Sequence, residues 1–180
     1  MKKAVLVLTM ILFFCTLTVS AQPAGKKWEL GMSFSYTNYK WSGDTESEYV
    51  LNLPIRAGYY VWKGLEIEPE FMLTKFKDGD TAYILSANLA YNFKTSGSLR
   101  PFVLAGFGFG NGIPVAHLVE GESDINATVI NFGAGVKYLI GSTAALRFEY
   151  RYTHDHLKYQ GGYSENMNIH QVLAGISVFF

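Results

Sequence analysis

The 180-residue chain is 49% hydrophobic and 17% charged, with 13 Phe, 12 Tyr, 3 Trp, 18 Gly, a single Cys and a formal net charge of +0. This composition excludes a disordered tail, a disulfide scaffold and a collagen, and with basic residues only matching the acidic ones no nucleic-acid partner is expected. Beyond the N-terminus no segment approaches the roughly 18 unbroken apolar residues of a spanning helix, so a membrane form of this chain would have to cross as strands.

Met1, Lys2 and Lys3 make a short positive start, and the run that follows to Val19 is almost wholly apolar. Val19, Ser20 and Ala21 are small at the positions a signal peptidase reads, so residues 1–21 are expected to be a secretory signal peptide and residues 22–180 the mature domain. An uncleaved helical anchor fits less well, because the run is short for a bilayer and Gln22-Pro23-Ala24-Gly25 would break a helix. Cys15 follows the bulky Phe14, where a lipoprotein signal needs a small residue, and it leaves with the signal, so neither a disulfide nor a lipid anchor is expected.

From Trp28 onward the hydrophobic period is two. In the first run Trp28, Leu30, Met32, Phe34 and Tyr36 alternate with Glu29, Gly31, Ser33 and Ser35. In the second, Tyr49, Leu51, Leu53, Ile55, Ala57, Tyr59 and Val61 oppose Asn52, Arg56 and Gly58, with Val50, Pro54 and Tyr60 blurring the polar face. The third sets Leu65, Ile67, Phe71 and Leu73 against Glu66, Glu68 and Glu70, and the fourth sets Tyr83, Leu85, Leu89 and Tyr91 against Ser86, Asn88 and Asn92. A fifth run puts Val103, Ala105, Phe107 and Phe109 opposite Phe102, Leu104, Gly106, Gly108 and Gly110; the sixth puts Ile130, Phe132, Val136 and Tyr138 opposite Asn131, Gly133, Gly135 and Lys137. The seventh carries Leu146, Phe148, Tyr150 and Tyr152 against Arg147, Glu149 and Arg151; the eighth carries Val172, Ala174, Ile176, Val178 and Phe180 against Gln171, Gly175 and Ser177. Eight runs joined as successive hairpins predict an all-β, eight-stranded antiparallel up-and-down barrel.

Connections at 63–64, 94–98 and 141–143 are short, whereas 38–48, 110–126 and 154–166 are predicted as long loops. Short turns at one end and long loops at the other characterise outer-membrane barrels. Alternation alone does not orient the faces, since a soluble lipocalin-like barrel buries its apolar face and a membrane barrel exposes it. Two features favour the membrane form. The polar face carries both signs, with Glu29, Glu66, Glu68, Glu70 and Glu149 set against Arg56, Lys137, Arg147 and Arg151, and these can neutralise one another within a narrow lumen. Aromatic residues also gather at the ends of the apolar faces, at Trp28, Tyr36, Tyr49, Tyr59, Tyr91, Phe93, Tyr138, Tyr152 and Phe180, as headgroup girdles require. Pro54 and Pro69 lie inside strands, where each removes a ladder hydrogen bond, and local bulges are expected there.

The segment Arg100-Pro101-Phe102-Val103-Leu104-Ala105-Gly106-Phe107-Gly108, the hairpin from Gly135 to Tyr138 through Leu146 to Tyr152, and the end Gly175-Ile176-Ser177-Val178-Phe179-Phe180 resemble the small outer-membrane barrels of the OmpA/OmpX-like type. The resemblance spans essentially the whole mature chain. It implies a monomer in the outer membrane of a Gram-negative bacterium, in contact with lipid and lipopolysaccharide. It also implies that Val172, Ala174, Ile176, Val178 and Phe180 form the terminal signal read by the barrel-assembly machinery. Members of that family include structural barrels, host-interaction barrels and a few lipid enzymes, so no single activity is implied.

The chain is more weakly similar to the lipid A deacylase barrels, whose seventh strand carries His-x-Ser. Alignment on Leu157-Lys158 places Arg151 and Thr153 where that His and Ser should stand, so the catalytic pair is missing and no enzyme is expected. A shifted register could use His154 or His156 with Glu165, all three in the predicted loop region, and the only nearby hydroxyls are those of Thr153 and Ser164. His154-Asp155-His156 puts alternate residues on one side of an extended chain, but the segment supplies no third converging ligand, so neither a metal nor any cofactor is expected. The Gly106-to-Gly110 cluster lacks the βαβ context of a phosphate loop and is read as space for opposing Arg and Glu. The expected role is structural or surface-interactive through the loops, with a plugged lumen; a lipid A-modifying hydrolase and a small-solute pore are the alternatives.

Overall fold

A computed structural model describes residues 25–39, 48–76, 81–111, 125–159 and 162–180. The segment expected to be a signal peptide lies outside them. Eight strands follow in order: β1 (Trp28–Tyr39), β2 (Glu48–Trp62), β3 (Leu65–Phe76), β4 (Thr81–Asn92), β5 (Leu99–Asn111), β6 (Ile125–Ile140), β7 (Ala144–Tyr159) and β8 (Ser164–Phe179). Each pairs antiparallel with its sequence neighbours, and β8 returns to β1 to close the barrel. The period-two pattern becomes the two faces of this wall. Leu30 (52% exposed), Phe132 (54%) and Phe148 (49%) point away from the axis, while Glu68 and Arg147 (each 0%) point toward it.

The apolar belt has a physical consequence. Outward Leu, Ile, Val, Phe, Tyr and Trp side chains are present on all eight strands, far more than the few hundred Å² of apolar patch that soluble proteins tolerate. At about 25 cal/mol per Å² of apolar surface, water is a poor solvent for this wall and acyl chains are a good one. Closure also leaves no sheet edge around the cylinder, which the dry bilayer core demands.

The prolines act differently from expectation. On β1–β2 the paired positions pass from Met32↔Ile55 to Ser35↔Asn52, skipping the level of Pro54; on β2–β3 they pass from Arg56↔Glu70 to Tyr59↔Ile67, skipping the level of Pro69. In both places the register resumes unshifted, and on their other sides Pro54↔Met72 and Pro69↔Ala87 stay paired. Each proline thus opens a gap in one ladder without inserting a residue, because only the missing N–H is lost. The bulge lies instead between Tyr60 and Trp62, beside the Lys63–Gly64 turn, where both residues have positive φ (31° and 93°) as a two-residue hairpin requires.

The strands also run further than the hydrophobic pattern indicated. β1 continues to Tyr39 and β2 begins at Glu48, while β5 reaches Asn111 and β6 starts at Ile125. The predicted loop 154–166 is mostly strand, with His156↔Asn166 and Lys158↔Ser164 still paired on β7–β8. Backbone pairing carries this hairpin past the end of the outward apolar stripe, through Thr153 to His156, where residues on both faces are polar and alternation no longer signals a strand.

Candidate functional site

The interior holds one connected set of charged side chains, aimed inward because their positions share the parity of the polar face. β1 supplies Glu29, β2 Arg56, β3 Glu66, Glu68 and Glu70, β6 Lys137, and β7 Arg147, Glu149 and Arg151; all nine are buried. Nearest the short-turn end, Lys137 Nζ donates to Glu29 Oε2 at 2.6 Å and to Glu66 Oε2 at 3.0 Å. Tyr60 OH donates to the same Glu29 oxygen (2.8 Å), and Asn92 Nδ2 to Glu66 Oε2 (2.9 Å).

Arg147 occupies the centre. Its Nη1 and Nη2 donate to the two oxygens of Glu68 at 2.6 and 3.2 Å, and its Nε donates to Glu149 Oε2 at 3.0 Å. The guanidinium also lies 4.3 Å from the ring centroid of Phe102, a cation–π contact across the lumen. One layer further on, Arg151 donates to both oxygens of Glu70 and pairs with Glu149 Oε1 at 2.6 Å, while Arg56 Nε donates to Glu70 Oε2 at 3.2 Å. A planar guanidinium can face two carboxylates at once, so three arginines hold three glutamates, with the two Nη atoms of Arg56 near Glu70 and Glu149 (3.2 and 3.6 Å) but without a hydrogen bond.

The charges do not balance. Five glutamates face four basic side chains, and Oε1 of both Glu29 and Glu66 is buried without a hydrogen bond. Glu29, Glu66 and Glu68 bring carboxylate oxygens within 4.8 Å of one another, but Lys137 and Arg147 already supply their counter-charge. The group therefore reads as an ion-pair network and not as a metal centre.

Room for these side chains comes from glycines other than those expected. A Cβ on Gly58 would collide with the Glu66 carboxylate, and one on Gly31 would lie 3.0 Å from Arg56 Cγ. Gly106 and Gly108 on β5 face Asn88 and Ser86 and the β4 backbone, not an Arg or Glu. Sequence reasoning missed Tyr60, Asn92 and Phe102 as members of the network. A signal was available for one of them: Tyr60 is an aromatic on the face that carries Asn52 and Arg56, and its ring centroid lies 5.6 Å from Lys137 Nζ, whereas Phe102 shares its face with Leu104 and glycines.

Toward the loop end the interior turns apolar, with Met72, Ile84, Ala127, Val129 and Leu157 packed together. His154 and His156 stand on β7, not in a loop, and share the outward face with Tyr152, while Thr153 and Asp155 point inward and are buried. Their Nδ1 atoms engage Asn168 and Asn166, and Glu165 accepts from Tyr159 OH at 3.3 Å. Ser164 is exposed at the start of β8, so the residues of the shifted catalytic register are spread over both faces of the hairpin.

At the other end of β8, Val172, Ala174, Ile176, Val178 and Phe180 all face outward. The Phe180 N–H donates to the Trp28 carbonyl at 3.0 Å, and the Trp28 N–H returns a bond to the Phe180 carbonyl at 2.9 Å. The chain terminus is thereby fastened to the first strand.

The closed cylinder agrees with the sequence family: residues 6–180 match the family model described as outer membrane protein beta-barrel domain. The chain belongs to that family. Among solved structures, Neisserial surface protein A superposes with a TM-score of 0.64 at 18% identity, covering 85% of this chain and 96% of that one. The N-terminal barrel domain of Pseudomonas aeruginosa OprF gives 0.56 at 19% identity, covering 86% and 98%. A de novo designed transmembrane barrel gives 0.56 at 17% identity, covering 89% and 99%. No curated protein matches the chain in sequence. The protein is an outer-membrane β-barrel of a bacterium, and the short turns at Lys63–Gly64 and 141–143 correspond to the periplasmic side in such barrels.

Proposed function

We propose that this outer-membrane barrel is plugged by its own side chains and serves a structural or surface-interaction role through its loop end. The observation that carries this reading is the nine-residue charge network, whose members come from five strands and meet across the lumen with at most 2% of any one of them exposed. An eight-stranded cylinder is just wide enough for side chains to fill it, so bidentate Arg–Glu pairs leave little cross-section for solutes. With its lumen closed, the surface it offers to partners is the extended β7–β8 hairpin and the segments at the same end. Lipid and lipopolysaccharide surround the apolar belt in this reading, and the barrel-assembly machinery engages the alternating Val172-to-Phe180 strand during insertion.

The test is single-channel recording on the full chain in planar bilayers. A plugged barrel gives no sustained steps of general-porin size. Steps of that size, persisting when the protein is verified as folded, would replace this reading with a small-solute pore. Pull-down from outer-membrane extracts with intact versus shortened loops tests the interaction role.

A further inference from the structure

The outward face of the β7–β8 hairpin changes chemistry along its length. Phe148 and Ile176 lie within the apolar belt, Tyr150 and Tyr152 come next, and beyond them His154 and His156 stand opposite Asn168 and Asn166. Alternate positions on one strand share a face, with Cα atoms about 7 Å apart, so both imidazoles leave the sheet on the same side. Asp155 between them points into the barrel and is buried.

Each ring is held from behind. His154 Nδ1 lies 2.7 Å from Asn168 Oδ1, and His156 Nδ1 lies 2.8 Å from Asn166 Oδ1. A carboxamide oxygen can only accept, so Nδ1 carries the proton in both rings and Nε2 keeps a bare lone pair. Asn168 Oδ1 is further fixed by the Tyr152 hydroxyl at 2.7 Å. An acceptor on Nδ1 that sets tautomer and ring orientation is the usual support behind a metal-binding histidine. Here that support is repeated at two successive outward positions.

We propose that His154 and His156 form a two-imidazole chelate, through Nε2, for a divalent transition ion of Cu2+ or Zn2+ type, with water completing the coordination. Imidazole nitrogen suits these ions, whereas Ca2+ and Mg2+ demand oxygen ligands. The site lies on the outside of the wall and does not depend on whether the lumen is plugged. His170 is the internal comparison: its Nδ1 meets the Tyr150 hydroxyl, which can donate as well as accept, and its ring packs on Tyr152.

The experiment uses tag-free full chain refolded in zwitterionic micelles, titrated with Cu2+ alone under electron paramagnetic resonance and with Zn2+ alone by calorimetry. The folded state of every variant is confirmed by the mobility difference between heated and unheated gel samples. The expected result is one ion per chain at micromolar concentration, with a two-nitrogen imidazole signature. His154→Gln and His156→Gln should each weaken binding by more than about tenfold, and Asn168→Ala by about tenfold through loss of ring orientation, while His170→Gln leaves it within about twofold. No bound ion in the folded wild type, affinity unchanged in both His154→Gln and His156→Gln, or binding removed by His170→Gln alone would overturn the proposal.

Discussion

Arg147 holds two carboxylates, Glu68 and Glu149, and lies over the Phe102 ring, with all four side chains buried. Truncating it leaves those carboxylates buried and underpaired, which typically costs about 3–5 kcal/mol. Arg147→Ala should therefore lower the urea midpoint of the refolded protein by an amount corresponding to that loss. Glu66 offers the opposite case. It shares Lys137 with Glu29 in a set with one acid too many, and its Oε1 has no hydrogen bond, so Glu66→Gln removes surplus buried charge while keeping an acceptor for Lys137 and Asn92 and leaving Lys137 paired with Glu29. We expect Glu66→Gln to leave the midpoint unchanged or raise it, and Glu68→Gln, which breaks a bidentate pair, to lower it by about 2 kcal/mol or more. Equal losses in both variants would refute this division of the network. At this scale the charged members could be read from parity and sign alone, because a strand leaves each side chain only two directions. Who pairs with whom could not be read, since it depends on stagger between strands far apart in sequence, as in the Lys137–Glu29 bond.

Among the elements, the β1–β8 seam is the least secured. Its pairing runs only from Glu29↔Phe179 to Phe34↔Ala174, whereas β6 and β7 stay paired from Ile125↔Tyr159 to Ile140↔Ala144. Two backbone bonds between Phe180 and Trp28 extend this short seam by one level. Deleting Phe180 should therefore weaken closure as well as the expected assembly signal, reducing heat-modifiable, folded barrel several-fold both in cells and in refolding from urea without any cellular machinery. Normal refolding with a defect only in cells would assign the residue to recognition alone. The eight strands were legible because each contains at least four outward apolar positions in alternation. The extension of β7 and β8 was not, because Thr153, His154, Asp155 and His156 are polar on both faces and their strand state comes from pairing with a partner already in place. The same reasoning explains the prolines: a missing N–H predicts a lost bond, but only the neighbouring strands decide whether the register shifts.

For the whole molecule, fold and membrane address follow from one inversion, in which the apolar face of every strand points out and the ionic face points in. That inversion was inferable from opposite charges sharing a face and from aromatic residues at the strand ends, whereas the apolar cluster of Met72, Ile84, Val129 and Leu157 that replaces ions toward the loop end was hidden among ordinary alternating positions. The most direct test uses spin labels on three consecutive positions of β6, Ile130→Cys, Asn131→Cys and Phe132→Cys, in lipid vesicles. Labels at 130 and 132 should collide freely with oxygen dissolved in the acyl phase and be shielded from a water-soluble nickel chelate, while a label at 131 is shielded from both. High oxygen accessibility at 131 with shielding at 130 and 132 would turn the barrel inside out and contradict the account.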